Sequence, residues 1–144
     1  MRKLTTIGLL LMCMFSMSCD GGKTDYLSML VALRGTSYWT LQCSSYITTA
    51  HHFRHCGAAE FWQNGCGGAL VTVAEVSSIE KIPVAKLQAG DVIAFHGVHV
   101  AAYIGDGKFM DSDPNHYGVG DMTPDAIHGD TWFTGKVRIL RWKN

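Results

Sequence analysis

Cys43 and His99, 56 residues apart, are the side chains of this sequence whose types and contexts best suit covalent chemistry. Cys43 lies in Leu41-Gln42-Cys43-Ser44-Ser45-Tyr46-Ile47, where a helical pattern starts, and His99 opens the strand-like run His99-Val100-Ala101-Ala102-Tyr103-Ile104-Gly105. A cysteine attacks as its thiolate, and a helix N-terminus or a neighbouring imidazolium favours that form. Such a pair is a nucleophile for acyl transfer at an amide. Two carboxylates follow, Asp111 and Asp113. If the segments on either side of Gly105-Asp106-Gly107 form a hairpin with a three-residue turn, Asp113 falls opposite His99. Asp111 then falls opposite Ala101, diagonal to His99 on the same face. A two-residue Asp106-Gly107 turn moves the register by one and sends both carboxylates to the other face. With the longer turn, either carboxylate can orient the imidazole and steady its charged form.

A helix, a hairpin and a sheet must hold these groups. Tyr26, Met29, Leu30 and Leu33 recur at helical spacing, and Gly35 stops that helix. A second helix is expected from Cys43, with Tyr46, Ile47, Ala50 and Phe53 as its inner stripe and Gly57 beyond its end. The period then changes to two. Strands are expected over 69–76, 92–95, 99–104, 108–112 and 136–142, with Leu87-Gln88-Ala89-Gly90-Asp91 as a turn. Lys136 to Trp142 alternates and is expected to close the sheet. Residues 114–135 read as one long loop beside the site, with Asn115, His116, Tyr117, Asp121, Asp125 and His128 as cleft candidates. Trp132 and Phe133 read as core residues, with cleft lining as the alternative. Helices first and then an antiparallel sheet make an α+β domain.

At 144 residues the chain is expected to form one domain. Arg2 and Lys3, the apolar run from Ile7 to Phe15, and the small residues Ser16 and Ser18 read as a secretory signal. Residues 1–19 are thus assigned to a cleaved leader and 20–144 to the domain. The leader's apolar run is far shorter than the ~20 residues of a membrane span, so no stable membrane insertion is expected. An alternative leader reading makes Cys19 the lipid-anchored cysteine of a bacterial lipoprotein. Losing Arg2 and Lys3 takes the basic residues from 12 to 10 against 12 acidic ones, a net charge near −2. That balance argues against nucleic acid as a partner, because such surfaces are basic. Both leader readings place the domain in an oxidising compartment. Cys43, Cys56 and Cys66 then form an odd set. Cys56 and Cys66 flank the Gly-rich stretch holding Gly57, Gly65, Gly67 and Gly68 and are the natural disulfide pair, which leaves Cys43 free.

The segments Gly35-Thr36-Ser37-Tyr38, Gln42-Cys43-Ser44, Leu87-Gln88-Ala89-Gly90-Asp91-Val92 and the run from His99 to Asp111 together resemble the NlpC/P60 papain-like cysteine peptidases. The resemblance covers about Tyr26 to Ser112. It implies a papain-like fold, catalysis without a cofactor, and Cys43 and His99 as nucleophile and base. The family's third polar residue follows the histidine by twelve positions, which maps to Asp111. It also implies an oxyanion and substrate region at Tyr38, Ser44 and the Cys43 N–H. The sequence departs from the family where Asp-Cys-Ser-Gly reads Gln42-Cys43-Ser44-Ser45. Within the superfamily, the minimal size resembles the type VI secretion amidase effectors, and the leader and disulfide resemble their horizontally acquired tick counterparts. The implied substrate is bacterial peptidoglycan, cut at the D-Ala to diaminopimelate cross-link by a secreted monomer.

Two readings of other classes compete. His51 and His55, one helical turn apart if the second helix continues, have a zinc-holding spacing, although no Glu completes an H-E-x-x-H motif. A secreted module that binds the wall without cutting it is the other.

Overall fold

The computed structural model describes residues 23–123 and 131–144; the leader, Cys19, Asp125 and His128 lie outside them. Three helices, α1 (Lys23–Ala32), α2 (Cys43–Ala50) and α3 (Ala58–Gly68), precede β1 (Leu70–Val76), β2 (Val92–Phe95), β3 (His99–Gly105), β4 (Lys108–Asp113), β5 (Gly118–Asp121) and β6 (Val137–Trp142). The strands form one sheet in the order β1-β6-β2-β3-β4-β5, every pair antiparallel. The chain is therefore α+β.

Alternation along the strands divides the interior into two layers. Val92 and Ala94 of β2 face the helices, where Leu30, Tyr46, Ile47, Phe61, Met110 and Leu140 meet them. Ile93 and Phe95 face the other way, onto Ile82, Phe133, Val137 and Ile139. Single-turn 3-10 helices at Ile79–Lys81, Val84–Lys86 and Thr131–Phe133 bring Ile79, Ile82, Trp132 and Phe133 to that second face. The expected stripe of α1 buries Tyr26 and Leu30. Gly35, at φ 84°, lets the chain reverse after it. The Tyr46 hydroxyl donates to the Leu30 carbonyl at 3.0 Å and ties α2 to α1.

Three expectations are corrected. Cys56 and Cys66 do form a disulfide, but the stretch between them contains helix α3, which turns helical from Ala58 before Gly65, Cys66 and Gly67 adopt positive φ. Strand β6 does not close the sheet at an edge: it pairs with both β1 and β2. Among its described residues, the expected loop 114–135 carries strand β5, which pairs with β4, and single-turn helices at Pro114–His116 and Thr131–Phe133. Sequence periodicity missed β5 because Gly-Val-Gly-Asp offers one apolar side chain and little β propensity.

An ion pair between a buried carboxylate and a half-buried guanidinium locks the middle of the fold. Asp91 accepts from Arg141 Nε and Nη2, both at 2.7 Å, and from the Gln88 backbone N–H at 2.9 Å. The turn expected at 87–91 is thereby fastened to β6. At the sheet's far edge, the Gly35 N–H donates to the Val119 carbonyl at 2.8 Å, and the Val119 N–H donates to the Thr36 carbonyl at 2.9 Å. Strand β5 thus holds the segment that leads from α1 to Tyr38.

Candidate active site

Cys43 is the first residue of α2. Gln42 precedes it in extended conformation (φ −68°, ψ 168°) and offers no side-chain cap, so the first-turn N–H groups of the helix are left for other acceptors. The Ser112 hydroxyl donates to the Leu41 carbonyl and fastens this helix start to β4. Cys43 is the free cysteine among the described residues, and it is 7% exposed. Its thiol interacts electrostatically with the His99 ring.

The hairpin solves the register by a route neither simple turn offers. Asp106 and Gly107 both have positive φ, 53° and 72°, as a type I′ two-residue turn requires. That turn sets Gly105 opposite Lys108. An irregularity between Tyr103 and Gly105 then moves the ladder by one residue, so that Ala101 faces Asp111 and Ala102 faces Met110. The pairing beyond the bulge is the one a three-residue turn would have made. Asp111 shares a face with Ala101 and reaches His99 diagonally: Nε2 to Oδ2 is 2.7 Å. With Nε2 engaged by Asp111, Nδ1 is the ring nitrogen left for the thiol.

Both partners are buried, His99 at 4% exposed and Asp111 at 1%. Burial alone pulls the His99 pKa down. The hydrogen bond that the ring donates to Asp111, and the interactions with the charges of Asp111 and Cys43, outweigh it and lift the pKa to about 9. The ring is packed by Phe95, Trp132 and Phe133, with centroids 6.1, 5.7 and 5.3 Å away. An imidazolium walled by aromatics and held by a carboxylate is oriented at both nitrogens, so one nitrogen is aimed at the sulfur.

Asp113 is buried one step further along β4, and its Oδ1 accepts from the Asn115 N–H at 2.7 Å, capping the turn at Pro114–His116. Tyr38 stands half-buried between these groups. Its phenol pKa is raised by burial and then by the charges of Cys43 and Asp113. Ser44 is buried within α2, its carbonyl accepting from the Thr48 hydroxyl at 3.1 Å. Of the cleft candidates, Tyr117 is exposed beside β5, while Asp121 pairs with Arg34 at 2.6 Å. Trp132 and Phe133 pack against the His99 ring and Phe133 also against Phe95. Sequence reasoning passed over Ser112 and Gly118. A Ser in an alternating strand and a Gly near a turn have no local signature of such roles.

The helical premise of the zinc reading is corrected. Helix α2 ends at Ala50, His51 stacks on Trp142 at 3.8 Å, and His55 faces Ser45. Among the described residues no group of three or more His, Cys, Asp or Glu side chains is placed to hold a metal ion. No helix among them is long and apolar enough to cross a membrane.

No family model matches the chain, and no curated protein matches it.

Proposed function

We propose that the chain is a secreted cysteine peptidase or amidase of papain-like, NlpC/P60 type, acting on bacterial peptidoglycan. The observation that carries this reading is the buried array in which Asp111 Oδ2 lies 2.7 Å from His99 Nε2 while the buried Cys43 thiol interacts electrostatically with the same ring. The reaction class rests on that array; the wall substrate rests on the sequence resemblance.

The Cys43 sulfur adds to the amide carbon and the carbonyl oxygen becomes an oxyanion. The Cys43 N–H, free at the first turn of α2, and the Tyr38 hydroxyl are its candidate donors. One such donor is worth about 10²–10³ in rate. As the tetrahedral species collapses, the His99 imidazolium gives its proton to the leaving amine and the carbon–nitrogen bond breaks, leaving a thioester on Cys43. Neutral His99 then takes a proton from water, whose oxygen adds to the thioester carbon. The carboxylic acid leaves and the thiolate–imidazolium pair returns. Asp111 keeps the ring in one orientation throughout. The bond assigned is the D-Ala to diaminopimelate cross-link, and the role antibacterial.

The disulfide supports export, since such bonds persist in oxidising compartments. The test is digestion of purified sacculi. Wild-type protein is expected to release soluble muropeptides with new amine termini, and Cys43→Ala is expected to fold and release none. Lysis by that variant, or insensitivity of the wild type to a thiol alkylator, refutes the reading.

A further inference from the structure

Two aromatic rings lie almost wholly in solvent: Trp39 is 90% exposed and Tyr117 is 92% exposed. Single exposed apolar side chains need no explanation, but two large rings at one junction do. Trp39 sits at the tip of a tight turn, in which the Ser37 carbonyl accepts from the Thr40 and Leu41 N–H groups at 3.0 Å each. Tyr117 stands in the left-handed conformation (φ 68°) at the end of the 3-10 turn Pro114–His116. The two turns meet backbone to backbone. A Cβ on Gly118 would lie 2.1 Å from the Thr36 carbonyl oxygen and 2.6 Å from the Tyr38 nitrogen. Trp39 and Tyr117 therefore each leave the chain one residue from the same contact, on either side of it. Tyr38, at that contact, feels the charge of Cys43.

The surroundings of the rings say what they suit. Residues 35–45 and 114–120 contain no Asp, Glu, Lys or Arg; they offer Thr36, Ser37, Thr40, Gln42, Ser45 and Asn115. Of the charges bordering these stretches, Arg34 and Asp121 neutralise one another at 2.6 Å, and Asp113 is buried. A single-stranded nucleic acid would stack on such rings but needs a basic groove along its backbone. An anionic lipid surface needs Lys or Arg beside the aromatics. Exposed aromatic faces among neutral hydroxyls and amides suit an uncharged polar polymer with apolar faces, which is a saccharide chain.

We propose that Trp39 and Tyr117 form a stacking subsite for the glycan strand of the substrate, a chain of N-acetylated hexosamines, beside the Cys43 cleft. This deepens the peptidoglycan reading and rests on it. The glycan lies across the two rings through the C–H faces of its sugars, and the stem peptide enters toward Cys43. The subsite makes polymeric wall a better substrate than the same peptide without sugar.

Two measurements separate the subsite from the catalysis. In the full chain carrying Cys43→Ala, a soluble oligomer of N-acetylglucosamine is titrated while tryptophan emission is followed. Saturable quenching is expected, weakened in Tyr117→Ala and retained in Tyr117→Phe, while calorimetry of the same titration should find binding lost in Trp39→Ala and retained in Trp39→Phe. In the active protein, kcat/KM is compared between intact sacculi and a glycan-free cross-linked stem peptide. The ratio is expected to fall about threefold to tenfold for each alanine variant, the scale of one aromatic stacking contact. A ratio unchanged by both substitutions overturns the proposal, since equal losses assign the rings to the peptide or to the fold. Binding to phosphatidylglycerol vesicles that both substitutions abolish, without oligosaccharide quenching, also overturns it. If Trp39-dependent binding persists in a protein that cuts no wall amide, the subsite stands and the hydrolase reading falls. Hydrolysis of sacculi without quenching removes the subsite and leaves the hydrolase.

Discussion

Replacing Asp111 by Asn isolates the charge that faces His99, because the side chain keeps its size in a site that is 1% exposed. The His99 pKa stands at about 9, against an ordinary histidine value of 6.5. At about 1.4 kcal/mol for each tenfold change in proton affinity, that difference makes the imidazolium form worth about 3.5 kcal/mol of folding free energy. Burial opposes the shift and Cys43 shares in it, so this figure sets the scale of removing Asp111 alone. The sign follows from the direction of the shift. A folded pKa above the unfolded one gives stability that is complete below 6.5 and disappears as pH rises through about 9. Asp111→Asn is therefore expected to cost one to three kcal/mol, in round terms, at about pH 5.5 and far less near pH 9.5. Urea unfolding at the two pH values measures this directly. A proton NMR titration of the ring should show the His99 pKa falling. On sacculi, kcat is expected to fall about 10²–10⁴-fold, the range for losing a well-placed acid–base partner. Asp113→Asn, by contrast, should leave the His99 titration in place, because Asp113 caps the Asn115 N–H instead. An equal loss of stability at both pH values, or an unmoved His99 titration in Asp111→Asn, refutes the reasoning.

Four further outcomes are expected. Turnover of sacculi should decline as pH rises through about 9, since the imidazolium that protonates the leaving amine is lost there; a rate flat to well beyond that point argues against His99 as the acid. The disulfide spans a sequence separation of 10, and replacing Cys56 and Cys66 together by Ala should cost about 2.7 kcal/mol by chain entropy, read from urea midpoints. Gly118→Ala places a side chain at φ 120° against the Thr36 and Tyr38 backbone, so stability should fall by about 1–3 kcal/mol and turnover should fall with it as Tyr38 moves. Asp91→Ala leaves the half-buried Arg141 and the Gln88 N–H without their acceptor and should cost about 1–3 kcal/mol in calorimetry or denaturant unfolding, more than the same change at the exposed Glu75.

Much of the site was legible before any coordinates. The stripe after Cys43 marks α2 because an amphipathic helix needs its apolar residues on one side, and Tyr46, Ile47 and Ala50 are all buried. His99 was legible as the first residue of a strand because Val100, Ala102 and Ile104 alternate from it, and the expected strand over 92–95 matches β2 residue for residue. The pairing of Cys56 with Cys66 followed from counting thiols in an oxidising context. In each case the deciding physics is local: side-chain period, turn chemistry, or a short count along the chain.

The remaining decisions were made by contacts between residues far apart in sequence. Whether Asp111 or Asp113 meets His99 depends on one extra residue in the ladder near Gly105, and a bulge there depends on how β3 lies against both its neighbours. That β6 enters between β1 and β2 follows from both faces of Val137, Ile139 and Leu140 finding cover at once, which alternation within β6 does not encode. Strand β5 exists because its backbone pairs with β4 on one side and with Gly35 and Thr36 on the other, not because its side chains favour a strand. The sequence by itself determined which residues begin the helix and the strand that carry the thiol and the imidazole. Only the tertiary structure decided which carboxylate reaches that imidazole and which backbone supports Tyr38, because register and strand order are set by hydrogen-bonding and burial across the whole sheet.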